Sequence, residues 1–91
     1  MRLRWIASGR ATLLSSLRRI RDDNPAVAND LARRIDVAVQ RLEAFPHSGR
    51  IGTVPITREL VIPGLPFIVV YRVTDAEVQI LRVFHDKRER L

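Results

Sequence analysis

The chain has 91 residues, 46% of them apolar and 29% charged, with four Gly and five Pro, which suits one domain with a modest core and excludes a disordered or low-complexity chain. Fifteen Arg and Lys87 against ten acidic residues give a net charge of +6; that balance favours an acidic partner, whether nucleic acid, an acidic protein segment or an anionic surface, over a plain solvated basic exterior only evenly. The absence of Cys excludes disulfides, thiolate metal sites and Cys nucleophiles, and two His 38 positions apart make no zinc site, so neither metal nor cofactor is expected.

Residues 1–6 alternate polar and apolar and predict a short strand with Leu3 and Trp5 inward. The start has no apolar run long enough for a signal peptide, because Arg10 interrupts it, and no window approaches a membrane span. A cytoplasmic protein is the expectation. Residues 7–21 read as a helix with Leu13, Leu17 and Ile20 inward, Leu14 widening the stripe and Ser8 as cap. Gly9 in its first turn weakens it by about 1 kcal/mol relative to Ala. Asn24 caps and Pro25 opens a second helix. Its stripe, Ala28, Leu31, Ile35, Ala38, Leu42 and Phe45, repeats at three and four until Pro46. Three intervening residues make the two helices an antiparallel hairpin.

Residues 45–52 form a turn-rich link, and residues 57–62 alternate with Leu60 and Ile62 inward. Residues 63–66 turn into the stretch that organises the rest. Residues 67–73 and 77–84 are two β-rich runs joined by Thr74-Asp75-Ala76, a connection of hairpin length. Strand, helix, helix and three strands predict one α+β domain over residues 1–91, with the helices on one sheet face. Ile68, Val70, Leu81 and Val83 are expected on the other face, where they would leave an apolar groove.

Asn24-Pro25-Ala26, the helix ending at Phe45-Pro46, Gly49-Arg50, Thr57 to Leu60, V-I-P-G-L-P-F-I-V-V-Y-R-V and V-Q-I-L-R-V-F-H, in this order, resemble the RelE/ParE superfamily of toxins from type II toxin–antitoxin systems. The likeness covers nearly the whole chain and implies the RelE-like fold. It also implies one of two activities. RelE-like members are ribosome-dependent mRNA endoribonucleases; ParE-like members inhibit DNA gyrase and are associated with growth inhibition and plasmid stabilisation.

Metal-free RNA cleavage needs a group to activate the 2′-hydroxyl, cations for the phosphate and an acid for the leaving oxygen. RelE-like toxins carry Lys and Arg on the central strands and an Arg and a Tyr near the C-terminus. This chain has Ile68, Glu59 and Val61 where they carry basic residues, no C-terminal Tyr, and only Arg88 at a matching basic position. The resemblance therefore points to the ParE branch and away from an enzyme. In the ribonuclease alternative, Arg58, Arg82, His85 and Arg88 would form the centre, with Arg72 nearby. The bland readings are surface pairing of Arg58, Arg72 and Arg82 with Glu59, Glu77 or Asp75, and strand closure by His85. Trp5 and Tyr71 read as core, His47 as a turn residue and Asp22-Asp23 as a helix end.

The resemblance also implies a partner: a ParD-like antitoxin whose acidic C-terminal segment folds on the toxin, forming a hetero-oligomer. Arg10, Leu14, Arg18, Arg21, Arg34 and Arg41 on the helical hairpin are its expected landing surface, where an amphipathic helix would set acidic residues against guanidinium groups. DNA gyrase is the expected target and the ribosome the alternative.

Overall fold

In the computed structural model, which describes residues 1–87, β1 (Arg2–Trp5) leads into α1 (Ala7–Asp23) and α2 (Pro25–Gln40). Then follow β2 (Arg50–Ile51), β3 (Arg58–Val61), β4 (Phe67–Val73) and β5 (Glu77–His85). The strands form one sheet in the order β1-β5-β4-β3-β2, antiparallel except that β1 runs parallel to β5. This is the expected α+β architecture, with one addition. Arg50–Ile51 pairs with β3 as a fifth strand, where a link was expected; two residues are too few to show alternation in a sequence.

The helical hairpin covers the inner sheet face. Leu31, Ile35, Val39 and Leu42 pack on Phe67, Val69, Tyr71, Val78, Ile80 and Val83, with Leu13, Leu17 and Ile20 of α1 closing the other side. Asn24 caps α2 as expected, its Oδ1 accepting the Val27 N–H at 3.2 Å. The stripe of α2 stops earlier than its sequence suggests. A 3₁₀ turn over Arg41–Glu43 follows Gln40; three residues per turn instead of 3.6 rotate what comes next away from the core. Leu42 stays buried but Phe45 is 67% exposed.

The start of α1 also departs from expectation. Ile6 occupies the N-cap position without a side-chain cap, and Ser8 instead donates to the Leu81 carbonyl at 2.8 Å. The reason lies in β5. Val70 pairs with Arg82 and Tyr71 with Ile80, so Leu81 is an extra, bulged residue. α1 docks on that bulge: Thr12 Oγ1 accepts the Val83 N–H at 2.9 Å, and the Ile6 N–H reaches the Ile80 carbonyl at 3.0 Å. Gly9 is buried there, and a Cβ on it would lie 2.3 Å from the Ile80 oxygen. The glycine that weakens the helix in isolation is what permits its close approach to the sheet.

The bulge also decides which side chains face outward. One extra residue flips the alternation beyond it, so Val83 joins the inner core beside Val69. The apolar lining expected on the outer face therefore loses Val83 to the inner core. On the outer face Ile68 and Phe84 are buried, Val70 is half-buried, Val61 beside Ile68 is exposed, and Arg4, Glu59, Arg72, Glu77, Gln79 and Arg82 supply polar neighbours. Arg4 donates to Glu77 at 2.6 Å, Gln79 to Glu77 at 2.8 Å, and Arg72 to Gln79. Arg50 grips Glu59 through Nε and Nη2 at 3.1 and 2.9 Å.

Candidate partner-binding surface

The side chains expected to cleave RNA are spread across the sheet. Arg58 pairs in register with Tyr71 and His85 with Phe67. Both lie on the inner face, but four residues of strand separate them, about 13 Å at roughly 3.3 Å per residue. Arg58 is occupied at its end, donating through Nη1 to the Gly49 carbonyl at 2.8 Å and to that of His47 at 3.3 Å. His85 stands edge-on to Phe67 at 5.2 Å, and its Nδ1 accepts the Lys87 N–H at 3.2 Å. Arg82 lies opposite Val70 on the outer face, its guanidinium 4.7 Å from the Phe84 ring centre. Arg88 lies outside the described residues. The register thus leaves Arg58, Arg82 and His85 in three separate places. Arg72 shares the outer face with Arg82 but pairs with Gln79, not with the acids expected for it. Arg4 pairs with Glu77 and Arg50 with Glu59.

The helical hairpin gathers other candidates. A shallow groove runs between α1 and α2. One end is lined by Trp5, Arg10, Leu13, Leu14, Ala32, Ile35 and Asp36, the other by Leu14, Leu17, Arg18, Arg21, Ala28, Asn29 and Ala32. Leu14 belongs to both ends and is 50% exposed; the stripe it was expected to widen is here the floor of a depression. Small residues of α2, Ala28 and Ala32, keep that floor low. Arg10, Arg18 and Arg21 stand along it without an ion pair among the described residues. Asp36 is the acidic group in the lining. Exposed guanidiniums beside an apolar floor suit an amphipathic acidic helix.

Arg34 and Arg41 do not share that groove. They line the opposite flank of α2, with Arg33, Val37, Ala38, Ile62 and Pro63. Arg34 Nη2 donates to the Pro63 carbonyl at 3.2 Å, while Asp30 pairs with Arg33 rather than with Arg34. Two apolar residues outside the expected landing surface are prominent on α2: Val27 and Val37, 50% and 51% exposed. Their signal was available, since both are β-branched residues on a helix yet lie off its buried stripe.

Glu77 sits between two donors. Its hydrogen bond from Arg4, and then that from Gln79, hold the carboxyl below the usual range. Among the described residues no three His, Asp or Glu side chains come together as a metal site, and no helix is long and apolar enough to cross a membrane.

Residues 10–90 match the family model of the ParE toxin of the type II toxin–antitoxin system parDE. The chain belongs to the ParE toxin family. It is 38% identical over 84 residues to Y4kP of Sinorhizobium fredii, which is named as a toxin, covering 92% of this chain and 86% of that one. Toxin RelE2 of Caulobacter vibrioides is 33% identical over 79 residues, covering 82% and 88%. A solved structure, the chromosomal ParDE toxin–antitoxin system from P. aeruginosa, superposes with a TM-score of 0.84 at 30% identity over 93% of this chain and 95% of that one. The chain is thus a toxin of a type II toxin–antitoxin system, and membership implies an antitoxin partner.

Proposed function

We propose that this ParE-family toxin inhibits DNA gyrase and is neutralised by a ParD-like antitoxin seated in the α1–α2 groove. The observation that carries the target assignment is the dispersal of Arg58, Arg82 and His85. In-line attack on a phosphodiester needs its base, its cations and its acid within hydrogen-bond reach of one group, and the register separates these three by strand length and by sheet face. Arg10, Arg18 and Arg21, without an ion pair among the described residues, stand on the helices, where they suit docking.

Neutralisation follows from the groove. An antitoxin helix would bury apolar anchors on Leu13, Leu14, Leu17 and Ala32 and place carboxylates beside Arg10, Arg18 and Arg21. Each exposed pair contributes only about 0–1 kcal/mol, so the apolar floor supplies most of the affinity and the charges supply register and association rate. Screening over about 8 Å at physiological ionic strength makes that rate sensitive to salt.

Two assays run side by side test the target. Purified toxin is added to gyrase with relaxed plasmid, and to translating ribosomes with labelled mRNA. Loss of supercoiling with intact message is the expected result. Cuts in mRNA with gyrase unaffected would assign the chain to the ribosome-dependent nucleases instead.

A further inference from the structure

We infer that the antitoxin contacts both flanks of α2, with a second acidic segment lying along Arg34 and Arg41 after its helix has filled the α1–α2 groove. This rests on the antitoxin reading above and extends it to a separate subsite.

The geometry of α2 makes the separation. At 100° per residue, the buried Ala28, Leu31, Ile35 and Val39 define its inward face. Ala32 and Asp36 fall on the flank toward α1, and Arg34, Ala38 and Arg41 on the other. Arg33 and Val37 lie between them on the solvent crest. The basic positions of the hairpin therefore form two rows that no single straight helix can cover.

The far flank is shaped to receive a chain. One depression lies between α2 and the connection from Ile62 to Pro63; a second, sharing Arg34, continues past Leu65 and Pro66 to Val27. From Val27 to Arg41 the strip runs about 21 Å along the helix axis at about 1.5 Å per residue. That is room for roughly six residues of extended chain. Its charge is one-sided: among the described residues Arg33, Arg34 and Arg41 line it against Asp30, and Asp30 is held by Arg33. The Arg41 side chain has no ion pair among the described residues.

Charge and composition select the occupant. A second copy of this chain, at +6, would bring guanidinium against guanidinium. Nucleic acid would satisfy the charge but not Val27 and Val37, and apart from Phe67 and His85 at one end the strip offers no ring for stacking. An acidic peptide with interspersed apolar residues satisfies both. Val37, half exposed on the crest, lies where a chain passing from one flank to the other must cross. Tethering makes the second contact intramolecular, so a weak subsite still adds measurably to overall affinity.

The test uses the full-length toxin and its cognate antitoxin in a binding titration. Arg34→Glu/Arg41→Glu is compared with Arg18→Glu/Arg21→Glu, each with matched thermal midpoints. Arg34→Gln/Arg41→Gln serves as the milder variant should the reversal disturb folding. The expected result is a tenfold or greater rise in Kd for either pair. A series of C-terminal antitoxin truncations should then contain a form that binds the parent as weakly as the Arg34/Arg41 variant, with no further loss in that variant. A parent-like Kd for the Arg34/Arg41 variant overturns the second subsite, and a retained loss for Arg18/Arg21 leaves the first reading standing. Parent-like binding by both pairs would remove both. Equal effects of every truncation on parent and variant also overturn the inference.

Discussion

Replacing Tyr71 by Phe removes one oxygen and isolates what holds the end of the helical layer to the sheet. The Tyr71 ring is fully buried in the centre of β4. Its hydroxyl accepts the Gly49 N–H at 2.8 Å and donates to the Pro46 carbonyl at 2.8 Å. Phe keeps the ring and its packing, so the change acts on two hydrogen bonds alone. Each is worth about 0.5–1.5 kcal/mol net, and a buried donor left without a partner costs about 1–3 kcal/mol. Gly49 is buried, whereas Pro46 is half-buried and its carbonyl can turn to water. The expected loss is therefore about 2–3 kcal/mol, from a total of about 5–14 kcal/mol for a chain of this length. Urea titration followed by circular dichroism reads it as a lower midpoint at unchanged slope, and a thermal scan as a fall on the order of 10–20 °C. A change below about 0.5 kcal/mol would refute the reasoning, because it would mean that the Pro46–Gly49 turn is held by something other than this hydroxyl.

Gly9→Ala should destabilise, against helix propensity: the added Cβ would meet the Ile80 oxygen at 2.3 Å, and the resulting overpacking, about 1–3 kcal/mol, outweighs the gain of about 1 kcal/mol from Ala; a raised urea midpoint would contradict the docking on the bulge. Ile56 is 86% exposed and holds φ at 68°, a left-handed value that a β-branched residue rarely adopts. Ile56→Asn should thus raise the thermal midpoint by a few degrees, by relieving about 1 kcal/mol, and an unchanged or lower midpoint counts against strain. Glu77 has its pKa lowered by the hydrogen bond from Arg4, so its contribution is present above the unfolded-state carboxylate pKa and lost as pH falls through the folded-state value. Glu77→Gln should therefore lose less stability than the parent between neutral and acid pH, and parallel curves for the two would deny the link.

The architecture was legible because its periodicities are long. Residues 67–73 and 77–84 alternate over enough positions to declare a hairpin, and α2 carries its stripe through Ala28, Leu31 and Ile35 with Asn24 and Pro25 marking the start. What escaped is local and non-periodic. Leu81 looks like any strand residue; only pairing against Val70 and Tyr71 reveals it as a bulge, and that one residue sends Val83 inward, against expectation. Gly9 reads as a weak point until the Ile80 carbonyl is beside it. The basic landing surface was read as one patch because a sequence records which residues are helical and polar, while the neighbours α1 and the 62–66 connection decide which side of α2 each arginine faces. Arg34 and Arg41 were thus grouped with Arg18 and Arg21, although α2 itself stands between them.

The most direct test of a toxicity that does not run through a phosphate-cleaving centre is growth arrest by an Arg82→Ala/His85→Ala double variant, with circular dichroism and thermal midpoint matched to the parent. Arrest at the same expression level as the parent is the predicted result. A folded double variant that no longer arrests growth would contradict it, and would return these two side chains to a catalytic role that their positions on opposite sheet faces do not suggest.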